Sequence, residues 1–376
     1  MDQKKNILIV TNSGDRGGME VHILNILEGL HNEFNFYVAC PKGSIVSEYQ
    51  KYASVINLSP KLDIDPLYIF RLVKIIRSAG ISIVHTHELK AGVNGLIAAS
   101  FAKVPLKISH QHTPISNWQI SKLKKIINKF AYTLVVNRLA TWEVALTEEI
   151  KRQKVKEGIN PEKMVVIPNG INLKKLKVLS KLKERYNNEI RQRYGVGVSD
   201  LLIGNVSRLT VEKGHTVLIK AIRELENEKK INRVKFIIVG DGVLRDGLER
   251  AVKSCGLSER VIFTGFVNEE EKFKLLSSFD IFVFPSLAEG FGISVVEALA
   301  SHLPSVLSDL SVLKEVIGDA ALYFECGNTL DLKERLKEII SSKNLREELF
   351  AKAGERVKNY SIEKFWGRYR NLYSSF

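Results

Sequence analysis

The chain has 376 residues, of which 45% are hydrophobic and 26% charged, with 56 Lys and Arg against 42 Asp and Glu. That length exceeds what one core usually organises, and the composition excludes a mainly disordered chain and sets the expectation of two ordinary globular domains. Cys40, Cys255 and Cys326 are scattered with no C-x-x-C pair, which excludes a disulfide framework or zinc site as a reading and fits a reducing, cytoplasmic location.

From the amino end, residues 6–11 form an apolar run too short for the core of a signal peptide or for a membrane span, so neither secretion nor membrane insertion is expected. Short β-branched runs follow at 7–10, 36–39, 81–85, 107–110, 144–147 and 165–167, alternating with helical patterns. This alternation predicts parallel strands with crossover helices on both faces of a sheet. Within this half, Trp118, Ile120, Leu123, Ile126, Ile127 and Phe130 recur at helix-like spacing with Lys122, Lys124, Lys125 and Lys129 between them. Such a segment reads either as a packed helix with solvated lysines or as a peripheral contact of residues 117–130 with an anionic membrane.

A turn signal, Pro168-Asn169-Gly170, and a lysine-rich stretch at 173–185 then interrupt the pattern. A second series of runs lies at 201–206, 235–239, 261–263, 280–284, 305–308 and 321–324, with helical patterns such as 214–229 and 243–254 between them. The expected architecture is α/β, with two doubly wound Rossmann-like domains over 1–180 and 181–358. Residues 359–376 close the chain as a helix, with Ser361 as its cap and Phe365, Trp366, Tyr369, Leu372 and Tyr373 on one face. Residues 1–180 hold 25 Lys and Arg against 14 acids, and the remainder 31 against 28, so the first half is expected to face something anionic.

The most specific motif is Glu289-Gly290-Phe291-Gly292-Ile293 with Glu297 behind it, following the run that ends at Phe284. A strand that leads through a Gly-rich turn into a helix aims unpaired backbone N–H groups and the positive end of the helix dipole at a ligand, which suits phosphate. Glu289 and Glu297 then supply acceptors for sugar hydroxyls on either side. After the first strand of the second series, Arg208 and Lys213-Gly214 project from a strand end where open α/β sheets bind ligands. Gly240-Asp241-Gly242 and Gly14-x-x-Gly17-Gly18 also follow strands, the latter opening a helix with Glu20 and His22. The first loop lacks G-x-G-x-x-G and has Cys40-Pro41 where a ribose-binding acid would stand, which disfavours a dinucleotide. Asp63-Ile64-Asp65 precedes a proline away from these loops and reads as a loop, with no metal site.

In this order, Gly17-Gly18, Pro168-Asn169-Gly170, Arg208 with Lys213, Gly240-Asp241-Gly242 and Glu289 with Glu297 resemble the retaining glycosyltransferases of family 4 over nearly the whole chain. The resemblance implies the GT-B fold, two Rossmann-like domains facing across a cleft, with the terminal helix crossing back to the first. It implies acceptor binding by the first domain and nucleotide-sugar binding by the second, with Arg208 and Lys213 neutralising the diphosphate. By the same resemblance Glu289 contacts the sugar, Glu297 the ribose, Gly17 and Gly18 close near the phosphates, and the base lies near Phe266 and Val267. His112 resembles the active-site histidine of the family, beside its plainer reading as a buried or strand-capping residue.

The implied reaction is metal-independent retaining transfer of a hexose or N-acetylhexosamine, from a UDP-sugar in preference to GDP-mannose. The acceptor is a glycan, a lipid-linked sugar or a small molecule, in bacterial cell-surface polysaccharide or glycolipid synthesis. The nucleotide sugar is a substrate, and no cofactor is expected. A sugar-nucleotide epimerase or a phosphorylase on the same fold is the nearer alternative. A nucleic-acid-binding protein is the more distant one, disfavoured because no RRM, helix-turn-helix or zinc signature is present. Met19, His302 and Cys326-Gly327-Asn328 depart from the family pattern without touching the phosphate or ribose groups.

Overall fold

A computed structural model describes residues 4–118, 120–180 and 182–375. Residues 1–3, Gln119, Lys181 and Phe376, over which the readings of the amino end, the 117–130 segment, the lysine-rich stretch and the terminal helix partly extend, lie outside the described residues. The chain divides into two compact units, Met1–Gly170 with Ile362–Phe376, and Ile171–Ser361.

The first unit holds seven parallel strands, β1 (Asn6–Val10), β2 (Asn35–Cys40), β3 (Ala53–Asn57), β4 (Ile83–His87), β5 (Leu106–His110), β6 (Trp142–Ala145) and β7 (Met164–Val166), ordered β3-β2-β1-β4-β5-β6-β7. The second holds six, β8 (Leu201–Val206), β9 (Val234–Val239), β10 (Val261–Gly265), β11 (Ile281–Phe284), β12 (Ser305–Ser308) and β13 (Leu322–Phe324), ordered β10-β9-β8-β11-β12-β13. Both are the doubly wound sheets expected of a GT-B fold. Their central strands are buried on both faces, as in Ile7–Val10 at 0% exposure, which is why they read as continuous apolar runs.

Four strands differ from expectation by two residues or more: β6 runs Trp142–Ala145 rather than 144–147, β10 extends to Gly265 rather than ending at 263, and β3 and β4 depart as follows. β3 is absent from the sequence reading because it is an edge strand, paired only with β2 and half-buried, so it shows no apolar run. β4 is displaced towards the carboxyl side, ending at His87 rather than His85, because His85, Thr86 and His87 are all fully buried and hide the strand behind polar residues.

The terminal helix Ile362–Ser374 belongs to the first unit. It packs on the helix Gly18–Leu30, burying Ile362, Phe365, Tyr369, Leu372 and Tyr373, while the Trp366 indole donates to the Asn25 carbonyl at 2.7 Å.

Candidate functional site

In an open parallel sheet the crevice lies beyond the carboxyl ends of the two strands at which the order reverses. In the second unit these are β8 and β11. Their exits touch because Gly214, at φ +69°, has no side chain: a Cβ there would lie 1.9 Å from the Pro285 carbonyl oxygen. The Leu287 N–H donates to the Glu212 carbonyl at 2.7 Å, and Ser286 Oγ lies 2.9 Å from the same carbonyl oxygen. This lacing brings Lys213 Nζ to 2.5 Å from Glu289 Oε1, an oxygen that also accepts from Ser286 Oγ at 2.8 Å. Arg208 leaves the same exit with an exposed side chain, 3.7 Å from Glu212. Lys213 and Glu289 are therefore in contact, and Arg208 extends into solvent beside them.

Gly292, at φ +86°, turns the chain into the helix Ile293–Ala300, and Phe291 anchors the loop in the core. The first N–H groups of such a helix have no partner within it. Glu297, further along the same helix, is buried and its Oε1 lies 2.6 Å from Lys272 Nζ. Burial alone would lower the Lys272 ammonium, but the carboxylates of Glu297 and Glu269 outweigh it and hold the group above its ordinary value. Lys272 carries no sequence signal, since it is one lysine on an ordinary surface helix, Glu269–Ser278, and only packing brings it to Glu297.

The exit of β9 packs on that of β8, where Gly240 at φ +130° would place a Cβ 2.1 Å from the Ser207 carbonyl oxygen. Gly242 is equally constrained against Leu209, whereas Asp241 turns outward to Arg245 at 3.0 Å. Beyond β10, Phe266 is exposed and Val267 half-buried. His215, buried behind Gly214, meets Asn205 Oδ1 at 3.1 Å and Ser207 Oγ at 3.0 Å. Burial lowers its imidazole to about 4 and so keeps it neutral.

In the first unit, the loop after β1 interlocks with residues 41–44: a Cβ on Gly14 would lie 2.3 Å from the Pro41 carbonyl oxygen. Gly17 caps the helix Gly18–Leu30 and leaves room for the Glu20 carboxylate, 2.7 Å from where its Cβ would sit. Behind this loop five imidazoles gather. His22 Nε2 meets the Tyr369 hydroxyl at 2.9 Å, and its Nδ1 meets Asn169 Oδ1 at 2.5 Å. Asn169, read from the sequence only as part of a turn, is thus a buried partner of His22.

His112 Nε2 lies 3.1 Å from His87 Nδ1, and its ring stacks on His110 with centroids 3.9 Å apart. His85 completes the set through the Tyr373 hydroxyl at 2.9 Å. Burial holds His85, His87, His110 and His112 well below the ordinary imidazole value and lowers His22 to about 4. The Nε2 atoms of His85, His87 and His110 are buried without a hydrogen-bond partner. These three residues are also the group among the described residues with metal-ligand spacing, their offered nitrogens lying within 4.8 Å of one another.

Glu88, which the sequence reading did not single out, follows β4 at φ +69°, a conformation that costs a non-glycine residue energy and tends to persist at functional sites. Burial pushes its carboxyl up to about 7, against the pull of the Gln111 amide, which donates to it at 2.6 Å. It lines a pocket with Asn12, Asp63, Lys90, Trp118 and Lys124. An acid directly after an H-x-H strand end was the available signal. The 117–130 segment is not one helix: the helix begins at Lys122 behind the Ser121 cap, and Trp118 and Ile120 precede it on the pocket wall.

Two family models match the chain: "Glycosyltransferase Family 4" over residues 16–175 and "Glycosyl transferases group 1" over residues 187–356. The UDP-Gal:alpha-D-GlcNAc-diphosphoundecaprenol alpha-1,3-galactosyltransferase of Escherichia coli is 29% identical over 245 residues, 64% of this chain and 61% of that protein. The N-acetylgalactosamine-N,N'-diacetylbacillosaminyl-diphospho-undecaprenol 4-alpha-N-acetylgalactosaminyltransferase of Campylobacter jejuni is 26% identical over 303 residues, covering 80% and 78%. Among solved structures, HepE from Anabaena, crystallised with UDP and glucose, superposes with a TM-score of 0.85 over 99% of this chain and 100% of that one, at 21% identity.

Proposed function

Because the chain belongs to the family 4, group 1 glycosyltransferases, we propose that it transfers a hexose or N-acetylhexosamine from a UDP-sugar to a lipid-linked acceptor in bacterial cell-surface polysaccharide synthesis, with retention at the anomeric carbon. The observation that carries the donor half of this reading is the contact of Lys213 Nζ with Glu289 Oε1 at 2.5 Å, beside Arg208 and in front of the helix Ile293–Ala300. A diphosphate leaving group gains negative charge as the glycosidic bond breaks. Fixed cations and a helix amino end at that point stabilise the transition state without reorganising.

In this assignment Lys213 and Arg208 hold the diphosphate and take over the charge compensation a metal would otherwise supply. Glu289 accepts from the sugar hydroxyls, and Lys272 holds Glu297 in place to accept from the ribose. Phe266 and Val267 border the base. A donor phosphate oxygen takes the proton from the acceptor hydroxyl on the face from which the leaving group departs. The first unit takes the acceptor, with His112 and Glu88 as the polar groups nearest it. The diphosphoundecaprenol acceptors named for the two relatives support a lipid-linked acceptor here.

The test is a thermal-shift panel of UDP- and GDP-sugars followed by transfer to a diphosphoundecaprenol-linked sugar, with the anomeric configuration of the product read by NMR. A UDP-sugar raises the melting temperature by mass action, and the product keeps the donor's configuration. Conversion of the donor without acceptor, as an epimerase gives, or an inverted product overturns the reading.

A further inference from the structure

The helix Lys122–Leu139 is inside out for a soluble protein. Asn128, Tyr132 and Val136 form its buried face, whereas Leu123 (69% exposed), Ile126 (60%), Ile127 (56%) and Phe130 (70%) share the solvent face. A second apolar group lies nearby: Leu62 (61%), Ile64 (54%), Leu67 (59%) and Phe70 (67%), the last two on the helix Pro66–Ser78. Both helices pack against the helix Leu89–Phe101, and Lys124 from the first group and Asp63, between Leu62 and Ile64 of the second, line one pocket. Exposed apolar side chains gathered in this way mark an interaction surface rather than ordinary scatter.

The charges around them choose the partner. Neither helix contains a single acidic residue, and Arg71, Lys74, Lys122 and Lys124 are exposed among the apolar side chains. Asp63, the exposed acid of the connecting loop, is paired with Lys90 at 3.2 Å. A second copy of the chain would bring these like charges together. An anionic bilayer neutralises them while it takes up the apolar side chains at its headgroup boundary.

We propose that this face of the first unit docks on an anionic lipid surface through two separate elements, residues 62–70 and 123–130, with the pocket between Asp63 and Lys124 opening at headgroup level. The inference rests on the reading of a lipid-linked acceptor, which would then enter the pocket from the bilayer side. Among the described residues no helix is long and apolar enough to cross a membrane, so the contact is peripheral.

The test is co-sedimentation of the full chain with phosphatidylcholine vesicles with and without phosphatidylglycerol, at low and raised salt. The paired variants are Leu123→Ser with Phe130→Ser, and Leu67→Ser with Phe70→Ser. The expected result is salt-sensitive binding to the anionic vesicles alone, weakened about tenfold or more by either pair, since each exposes less apolar surface to the interface. An unchanged circular dichroism spectrum and melting curve in both pairs shows that they fold. Binding that ignores lipid charge, loss in only one pair, or a dimer by light scattering that both pairs dissociate overturns the proposal. Transfer to a detergent-solubilised lipid acceptor without vesicle binding sinks the docking and spares the reaction. Vesicle binding with no transfer to any lipid-linked sugar does the reverse.

Discussion

Lys213 Nζ lies 2.5 Å from Glu289 Oε1, and Gly214 is what lets the two exits that carry them meet. The ammonium is therefore already held at the strand end, oriented by the carboxylate and by the backbone ties to Glu212. Lys213→Ala should lower kcat by about a hundredfold, as for removal of one charge-stabilising donor, while circular dichroism shows a folded chain. Near-normal turnover in steady-state kinetics would remove Lys213 from the leaving-group site.

In the first unit Lys154 Nζ and Glu143 Oε1 form a fully buried pair at 2.6 Å. The Val144 carbonyl also accepts from Lys154, and the Tyr132 hydroxyl reaches both Glu143 oxygens. Either single change, Lys154→Met or Glu143→Gln, strands a partner and should cost about 3–5 kcal/mol. The double variant should lose much less than the sum. Urea denaturation of all four proteins gives the coupling, and additive losses would show that the pair is not a unit.

Acid should weaken the fold. Burial keeps six imidazoles neutral, His22 and His215 at about 4 and the other four well below their ordinary value. The folded chain then binds fewer protons than the unfolded one below about pH 6.5, so stability is lost as pH falls through that window. Glu88 opposes this. Its carboxyl, raised by burial to about 7, contributes stability that is lost as pH rises from its unfolded value towards 7. Six groups outweigh one, so denaturation midpoints should be lower at pH 5 than at pH 7, and Glu88→Gln should steepen the decline. Equal midpoints at the two pH values would contradict a neutral, buried cluster.

Gly29 lies within the helix Gly18–Leu30, where alanine is ordinarily stabilising by about 1 kcal/mol. Here the sign reverses, because a Cβ would lie 2.0 Å from the Trp366 indole nitrogen. Gly29→Ala should cost about 1–3 kcal/mol by displacing the terminal helix. A melting temperature at or above that of the wild type would show that the helix does not dock as described.

The departure at His302 has a structural counterpart. It sits at φ +58°, the left-handed region that favours glycine, and its ring lies against Phe350 at 4.8 Å. A sequence comparison registers the missing glycine, but the stacking partner is visible only in the fold.

By itself the sequence determined the two parallel sheets apart from the edge strand β3, because doubly buried strands must be apolar runs and Gly-rich turns leave few backbone choices at Gly214, Gly240 and Gly292. It also placed Arg208, Lys213 and Glu289 at those exits and Glu297 on the helix that follows. Only the tertiary structure decided which side chains meet. It joined His22 to Tyr369 across most of the chain's length, paired Lys272 with Glu297, gathered five histidines from three segments and turned Leu123 and Phe130 outward. Periodicity marks the faces of an element, but which face is covered depends on neighbours distant in sequence, and a lone lysine or histidine carries no pattern that points to its partner.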